Sequence, residues 1–198
     1  MIKVNKSLME KAREKTKSDL VFLVVVAIVV LVMSVVVFLN TFVFFNVQIK
    51  GPSMEPTMYE NDVLIANRYK KPTHGSIVII SGEKANGEWI IKRVIAMEGD
   101  TVEIRLDGYV YIRYAGKSEF TKLEESYVKE KGATLRLDWT SKTLTEGEIF
   151  YLGDNRGNSK DSRHSDFLTC DVSQIVGVVE DWSFALKNFN KKMSAIFN

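Results

Sequence analysis

The run from Leu20 to Phe45, LVFLVVVAIVVLVMSVVVFLNTFVFF, holds no charged residue and only Ser34, Asn40 and Thr41 as polar interruptions. Valine and leucine occupy every face at helical spacing, so no polar stripe is left to meet water. A helix rising about 1.5 Å per residue needs roughly 20 residues to cross a hydrocarbon layer of about 30 Å, and Leu20 to Leu39 supplies that length. The run predicts a transmembrane helix, assigned to residues 20–41. A cleaved targeting peptide has a shorter apolar region followed closely by small residues, whereas Phe42, Phe44 and Phe45 stand here. The segment therefore reads as a retained anchor.

Working outward, Lys3, Lys6, Lys11, Arg13, Lys15 and Lys17 precede the span, and Lys50 is the only basic residue close after it. By the bias of basic residues toward the cytoplasm, residues 1–19 stay inside and everything after about residue 42 is exported. The lipid bilayer is thus one expected partner. A net charge of +2 and the lack of a basic stripe interleaved with aromatics argue against nucleic acid. Cys170 stands alone, so neither an internal disulfide nor a cysteine zinc site is implied.

Beyond the span, short runs rich in Val, Ile and Tyr alternate with turn residues, the pattern of antiparallel β structure. Strands are predicted near Asn46–Lys50, Asp62–Asn67, Ser76–Ile80, Glu88–Ala96, Thr101–Leu106, Tyr109–Tyr114, Glu148–Leu152 and Gln174–Trp182. The fold class is mostly β, with one N-terminal transmembrane helix. Asp107-Gly108 reads as a two-residue hairpin turn. Residues 42–114 and 148–183 are assigned to a β core, and the more charged stretch 115–147 to an insertion or cap. In the tail, 184–198, Phe184, Leu186, Phe189, Ile196 and Phe197 interleave with Lys187, Lys191 and Lys192. That pattern suits a helix or arm on the bilayer surface, or a solvated end.

Three segments could carry chemistry. In Gly51-Pro52-Ser53-Met54-Glu55-Pro56-Thr57-Met58, two prolines and a glycine stiffen the backbone around a serine, which suits a nucleophile held in one direction. Serine needs a base within hydrogen-bond reach. His74 and His164 lie in polar loops and read as solvated. Lys92 sits in Trp89-Ile90-Ile91-Lys92-Arg93-Val94-Ile95, an apolar strand in which Lys92 or Arg93 faces inward; alternation alone leaves open which. A buried lysine loses its proton more easily and becomes a usable base. The third segment, Gly153 to Arg163, GDNRGNSKDSR, is dense in groups that bond to backbone and to each other. Its Asp and Asn spacing lacks the terminal glutamate of a calcium loop, so no metal is assigned.

An apolar anchor, then GPSMEPTM, IIKRVIAMEGD and YLGDNRGNSKDSR in that order, resembles the bacterial type I signal peptidases. The resemblance implies a membrane-anchored serine endopeptidase on an antiparallel β fold, without cofactor, that removes signal peptides from exported preproteins after small residues. Ser53 would attack and neutral Lys92 would accept its proton, a variant of the serine hydrolase scheme. Ser159 resembles the serine that hydrogen-bonds and orients the lysine. Asp161 and Arg163 resemble the ion pair bracing the loop, and Asp154 a structural member of it. Preference for small residues implies shallow apolar pockets, with Val47, Ile49, Met54, Met58, Ile90 and Ile91 as candidates. Gly51 stands where some members have a serine as second oxyanion donor. Self-cleaving repressors share the dyad but carry a DNA-binding segment where this chain has its span.

Overall fold

The computed structural model describes residues 6–82, 87–130 and 141–197. Lys3, residues 131–140 of the expected insertion, and the side chains of Ile196 and Phe197 fall outside what is described. The chain divides into two compact units, Met1–Val43 and Phe44–Asn198.

The first unit is a helix, α1 (Lys6–Phe38), that closes with a wider turn at Leu39–Val43. By length and composition, Arg13–Val43 can cross a bilayer. The three polar side chains of its apolar part each bond one turn back, which lowers their cost in hydrocarbon: Ser34 Oγ donates to the Val30 carbonyl, Asn40 Nδ2 to Val36 and Thr41 Oγ1 to Val37.

The second unit is two antiparallel sheets and a helix. Its elements are β1 (Phe44–Gln48), β2 (Val63–Asn67), β3 (Ile77–Ile80), β4 (Ile90–Ala96), β5 (Thr101–Ile104), β6 (Val110–Arg113), β7 (Thr121–Lys122), β8 (Ser141–Thr143), β9 (Glu148–Leu152), β10 (Cys170–Asp171), β11 (Ile175–Val179) and α2 (Asp181–Phe197). The larger sheet runs β1-β2-β11-β3-β4-β9-β10, the smaller β7-β6-β5-β8. Ile49, Met54, Met58, Leu64 and Ile79 fill one core, and Val78, Val94, Ile149, Tyr151 and Cys170 another. A third core joins the sheets, with Ile95 and Phe150 from the larger against Val102, Ile104, Val110 and Ile112 from the smaller.

Several boundaries differ from expectation for local reasons. The first strand starts at Phe44 rather than Asn46, since Phe44 and Phe45 pair with Asn67 and Ala66. The last ends at Val179, and Asp181 and Trp182 instead open α2, where an acidic first turn suits the helix dipole. Only Gly108 of the Asp107-Gly108 pair has positive φ, at 74°, and Gly108 N–H donates to the Arg105 carbonyl. The hairpin therefore turns through a three-residue loop with glycine in the left-handed position, not a two-residue one. The stretch set apart as an insertion supplies β7 and β8, which pair with β6 and β5 and form both edges of the smaller sheet.

Candidate active site

Ser53 lies in a tight turn between β1 and β2. The Glu55 N–H donates to the Pro52 carbonyl at 3.0 Å, and the Met58 N–H to that of Met54 at 3.1 Å. Met54 and Met58 are wholly buried beneath the turn, so their side chains bolt it to the core. The loop after β9 holds it from the other side: the Asn155 N–H donates to the Ser53 carbonyl and Asn155 Nδ2 to that of Pro52, both at 3.1 Å. Asp154 accepts from Thr57 Oγ1.

Strand β4 brings Lys92 to this turn. It pairs with β3 through Lys92 opposite Val78 and with β9 through Arg93 opposite Leu152. Neither Lys92 nor Arg93 is turned out to water, which settles the alternation left open by the sequence. Lys92 is 4% exposed, with Nζ 2.9 Å from Ser53 Oγ and donating at 2.9 Å to the Ile91 carbonyl. Arg93 donates twice to Asp154, at 2.9 and 2.7 Å, and stacks 3.9 Å over the Tyr127 ring. Burial lowers the Lys92 pKa from 10.5 to about 8 against the opposing charges of Asp161 and Asp154. Its amine can thus lose a proton near neutrality, and a hydroxyl beside a deprotonated amine is an activated nucleophile.

Asp161 and Arg163 form a buried ion pair, with Nε and Nη2 donating at 2.8 and 3.0 Å. Asp161 Oδ2 also accepts the Gly153 N–H at 3.0 Å, tying the pair to the start of the loop. A Cβ on Gly153 would stand 2.5 Å from the Ser53 carbonyl oxygen and 2.2 Å from Ser159 Oγ, so only glycine fits. Ser159 departs from expectation. Its Oγ is buried and bonds to nothing among the described residues, Lys92 included. Nζ instead meets Ser53 Oγ and the Ile91 carbonyl, while Ser159 fills the space over Gly153.

A cavity of about 570 Å³ opens at the pair, lined among others by Asn46, Val47, Gln48, Lys50, Trp89, Ile90 and Ile91. Val47, Ile90 and Ile91 fall where a pocket was expected. Ile49, Met54 and Met58 do not line it; they are core side chains, because turning a large apolar group inward anchors the Ser53 turn. The cleft residues missed in the sequence come from several places: Asn46 and Gln48 from the edge strand β1, Lys50 just after it, Ile79 from β3, and Gly87, Glu88 and Trp89 from the approach to β4. Glu125, which takes both ends of the Arg156 guanidinium, and Tyr127 come from a stretch with no local signal.

His74 is an exposed loop residue, as expected, although its ring has a carboxylate partner, whereas His164 is half-buried. His74 Nε2 lies 2.5 Å from the buried Asp100 carboxylate, which also accepts the N–H groups of Met97 and Ala115. His164 packs against Phe167, with Nδ1 buried and unpartnered among the described residues.

The family model described as signal peptidase, peptidase S26, matches residues 21–182. A signal peptidase I of Bacillus licheniformis is 32% identical over 196 residues, covering 92% of this chain and 99% of that protein. One from Bacillus caldolyticus is 35% identical over 170 residues, covering 78% and 87%. The crystal structure of a signal peptidase I from Enterococcus faecalis V583 aligns with 56% of this chain and 98% of its own, at 33% identity and a TM-score of 0.45.

Proposed function

The chain belongs to the signal peptidases of peptidase family S26 and is a serine endopeptidase, and from that membership we propose that it cuts signal peptides from exported preproteins with a Ser53-Lys92 dyad. The observation that carries the dyad is the 2.9 Å approach of a buried lysine amine to a serine hydroxyl at the floor of the cleft. Deprotonated Lys92 takes the Ser53 proton as Oγ attacks the scissile carbonyl. The backbone N–H of Ser53 faces the charge that develops on that oxygen. The Lys92 ammonium then gives its proton to the leaving amine, and water, activated by the same amine, releases the acyl group. The resemblance assigns Ser159 to orient that ammonium, a role that needs its hydroxyl to turn to Lys92, since among the described residues it bonds to nothing. Asp161 with Arg163 and Asp154 with Arg93 hold the loop that carries it.

Strand β1 is at the edge of the larger sheet, so an extended peptide can add beside it with main-chain hydrogen bonds. Side chains of that peptide meet Val47, Ile90 and Ile91, a shallow apolar wall that suits small residues before the cut. Residues 20–41 anchor the enzyme in the bacterial cell membrane with the N-terminus cytoplasmic. The β domain lies on the outer side, where preproteins arrive tethered by their own apolar segments.

The test is incubation of the purified chain in liposomes with a model preprotein, mapping the cut by mass. Ser53→Ala and Lys92→Ala are each expected to abolish cleavage while the circular dichroism of the folded domain is kept. Processing retained by either variant overturns the dyad.

A further inference from the structure

The family model ends at Trp182, and α2 continues beyond it to Phe197. At about 100° per residue, Trp182, Leu186 and Phe189 fall on one stripe of α2. These three are 46%, 45% and 58% exposed. The helix cannot roll to hide them, because its opposite side is fixed. Ser183 is buried, Phe184 packs on the Met54 and Met58 core, and Lys187 Nζ donates to Asp62 Oδ2 at 2.9 Å. The Lys187 amine is drawn inward, while Asn188 and Lys192 remain on the surface.

The covalent path of the chain identifies what covers this stripe. The Trp182 ring meets the Phe44 ring edge-on at 5.9 Å. Phe44 is the residue directly after the stretch long and apolar enough to span a bilayer, Arg13–Val43. Connectivity therefore keeps the start of the stripe one ring contact from the point where that stretch ends. A tryptophan followed by large apolar groups at helical spacing, with the exposed Lys192 beyond them, is the composition of a helix lying in a headgroup layer.

We propose that α2 is an interfacial helix that seats Trp182, Leu186 and Phe189 in the outer surface of the membrane crossed by the N-terminal span. This rests on the anchored reading above and adds a second, peripheral attachment.

The experiment uses the full chain with Trp89→Phe and Trp139→Phe, leaving Trp182 as the single emitter, in phosphatidylglycerol–phosphatidylcholine liposomes. Alkaline extraction followed by flotation reports the span independently. In vesicles that retain the protein, Trp182 emission is expected to be quenched by lipids brominated near the headgroup and shielded from aqueous acrylamide. In the Leu186→Glu Phe189→Glu variant, flotation should persist while quenching falls several-fold. Emission accessible to acrylamide and untouched by brominated lipid, in protein that still floats, overturns the inference and leaves the anchored reading standing. Shielding from both quenchers, with cross-linking between copies, overturns it in favour of a dimer. Loss of flotation in the parent chain overturns the anchored reading and this inference with it.

Discussion

Lys92 sits where water is withdrawn from its amine, and its pKa falls to about 8 because burial outweighs the charges of Asp161 and Asp154. About one amine in ten is then uncharged at pH 7 and about half at pH 8. Cleavage of a preprotein should accordingly rise with an apparent pKa near 8, and a profile flat from pH 6 to 10 would exclude this amine as the base. The same displacement carries a stability cost of about 3 kcal/mol below pH 8. Between about pH 8 and 10.5 the unfolded chain binds more protons at this position than the folded one, so folding gains as pH rises and the cost vanishes above that window. Lys92→Met should therefore be inactive yet unfold at higher temperature than the parent at pH 7, with the advantage gone near pH 11. Calorimetry at the two pH values measures it. The lysine was legible as out of place in an apolar strand. Which of Lys92 and Arg93 faced inward was not, because the answer depends on Asp154, sixty residues away, which draws Arg93 into the fold too.

Strand β9 and the loop that follows it bring the nucleophile turn and the lysine strand together. The junction is Gly153, where a methyl group would press on the Ser53 carbonyl oxygen from 2.5 Å. Gly153→Ala should keep the sheets, since the glycine lies just past the end of β9, but displace Oγ from Nζ. A shift on the order of 1 Å at a reacting atom costs about 100-fold in rate, so steady-state cleavage should drop by about that factor with the far-ultraviolet spectrum unchanged. At this scale the sequence was readable where a run of β-branched and aromatic residues was continuous, as in β3 and β9, which are buried on both faces. It was less so where pairing is set from afar. β7, β8 and β10 have two or three residues each and exist because β6, β5 and β9 offer open edges. The pocket was half legible for a related reason: Met54 and Met58 have the chemistry of a pocket lining, and only the packing of the Ser53 turn sends them into the core.

In the whole molecule, an apolar helix and a β domain with its own three cores are joined at Val43–Phe44. Removing residues 1–43 should leave the domain folded, because none of those cores draws on the helix. Cleavage of a soluble peptide should change little, while processing of a preprotein in liposomes should fall by about 100-fold or more, as tethering raises effective concentration by such factors. Parallel assays on the two substrates give the ratio, and equal losses on both would contradict the tethered reading. Two-part organisation was the most legible property of the chain, since a charge-free run of that length admits few other structures. The contribution of Glu125 and Tyr127 to the site was the least legible, arising only when the smaller sheet is laid against the loop. One buried side chain also has a practical consequence. Cys170 is the sole thiol of the chain and is buried in β10, beside β9, in the core that holds Val78 and Tyr151. A cysteine engineered at exposed Lys160, beside the catalytic loop, would thus be the one readily alkylated position, so a fluorophore or nitroxide could follow substrate entry without prior removal of the native sulfhydryl.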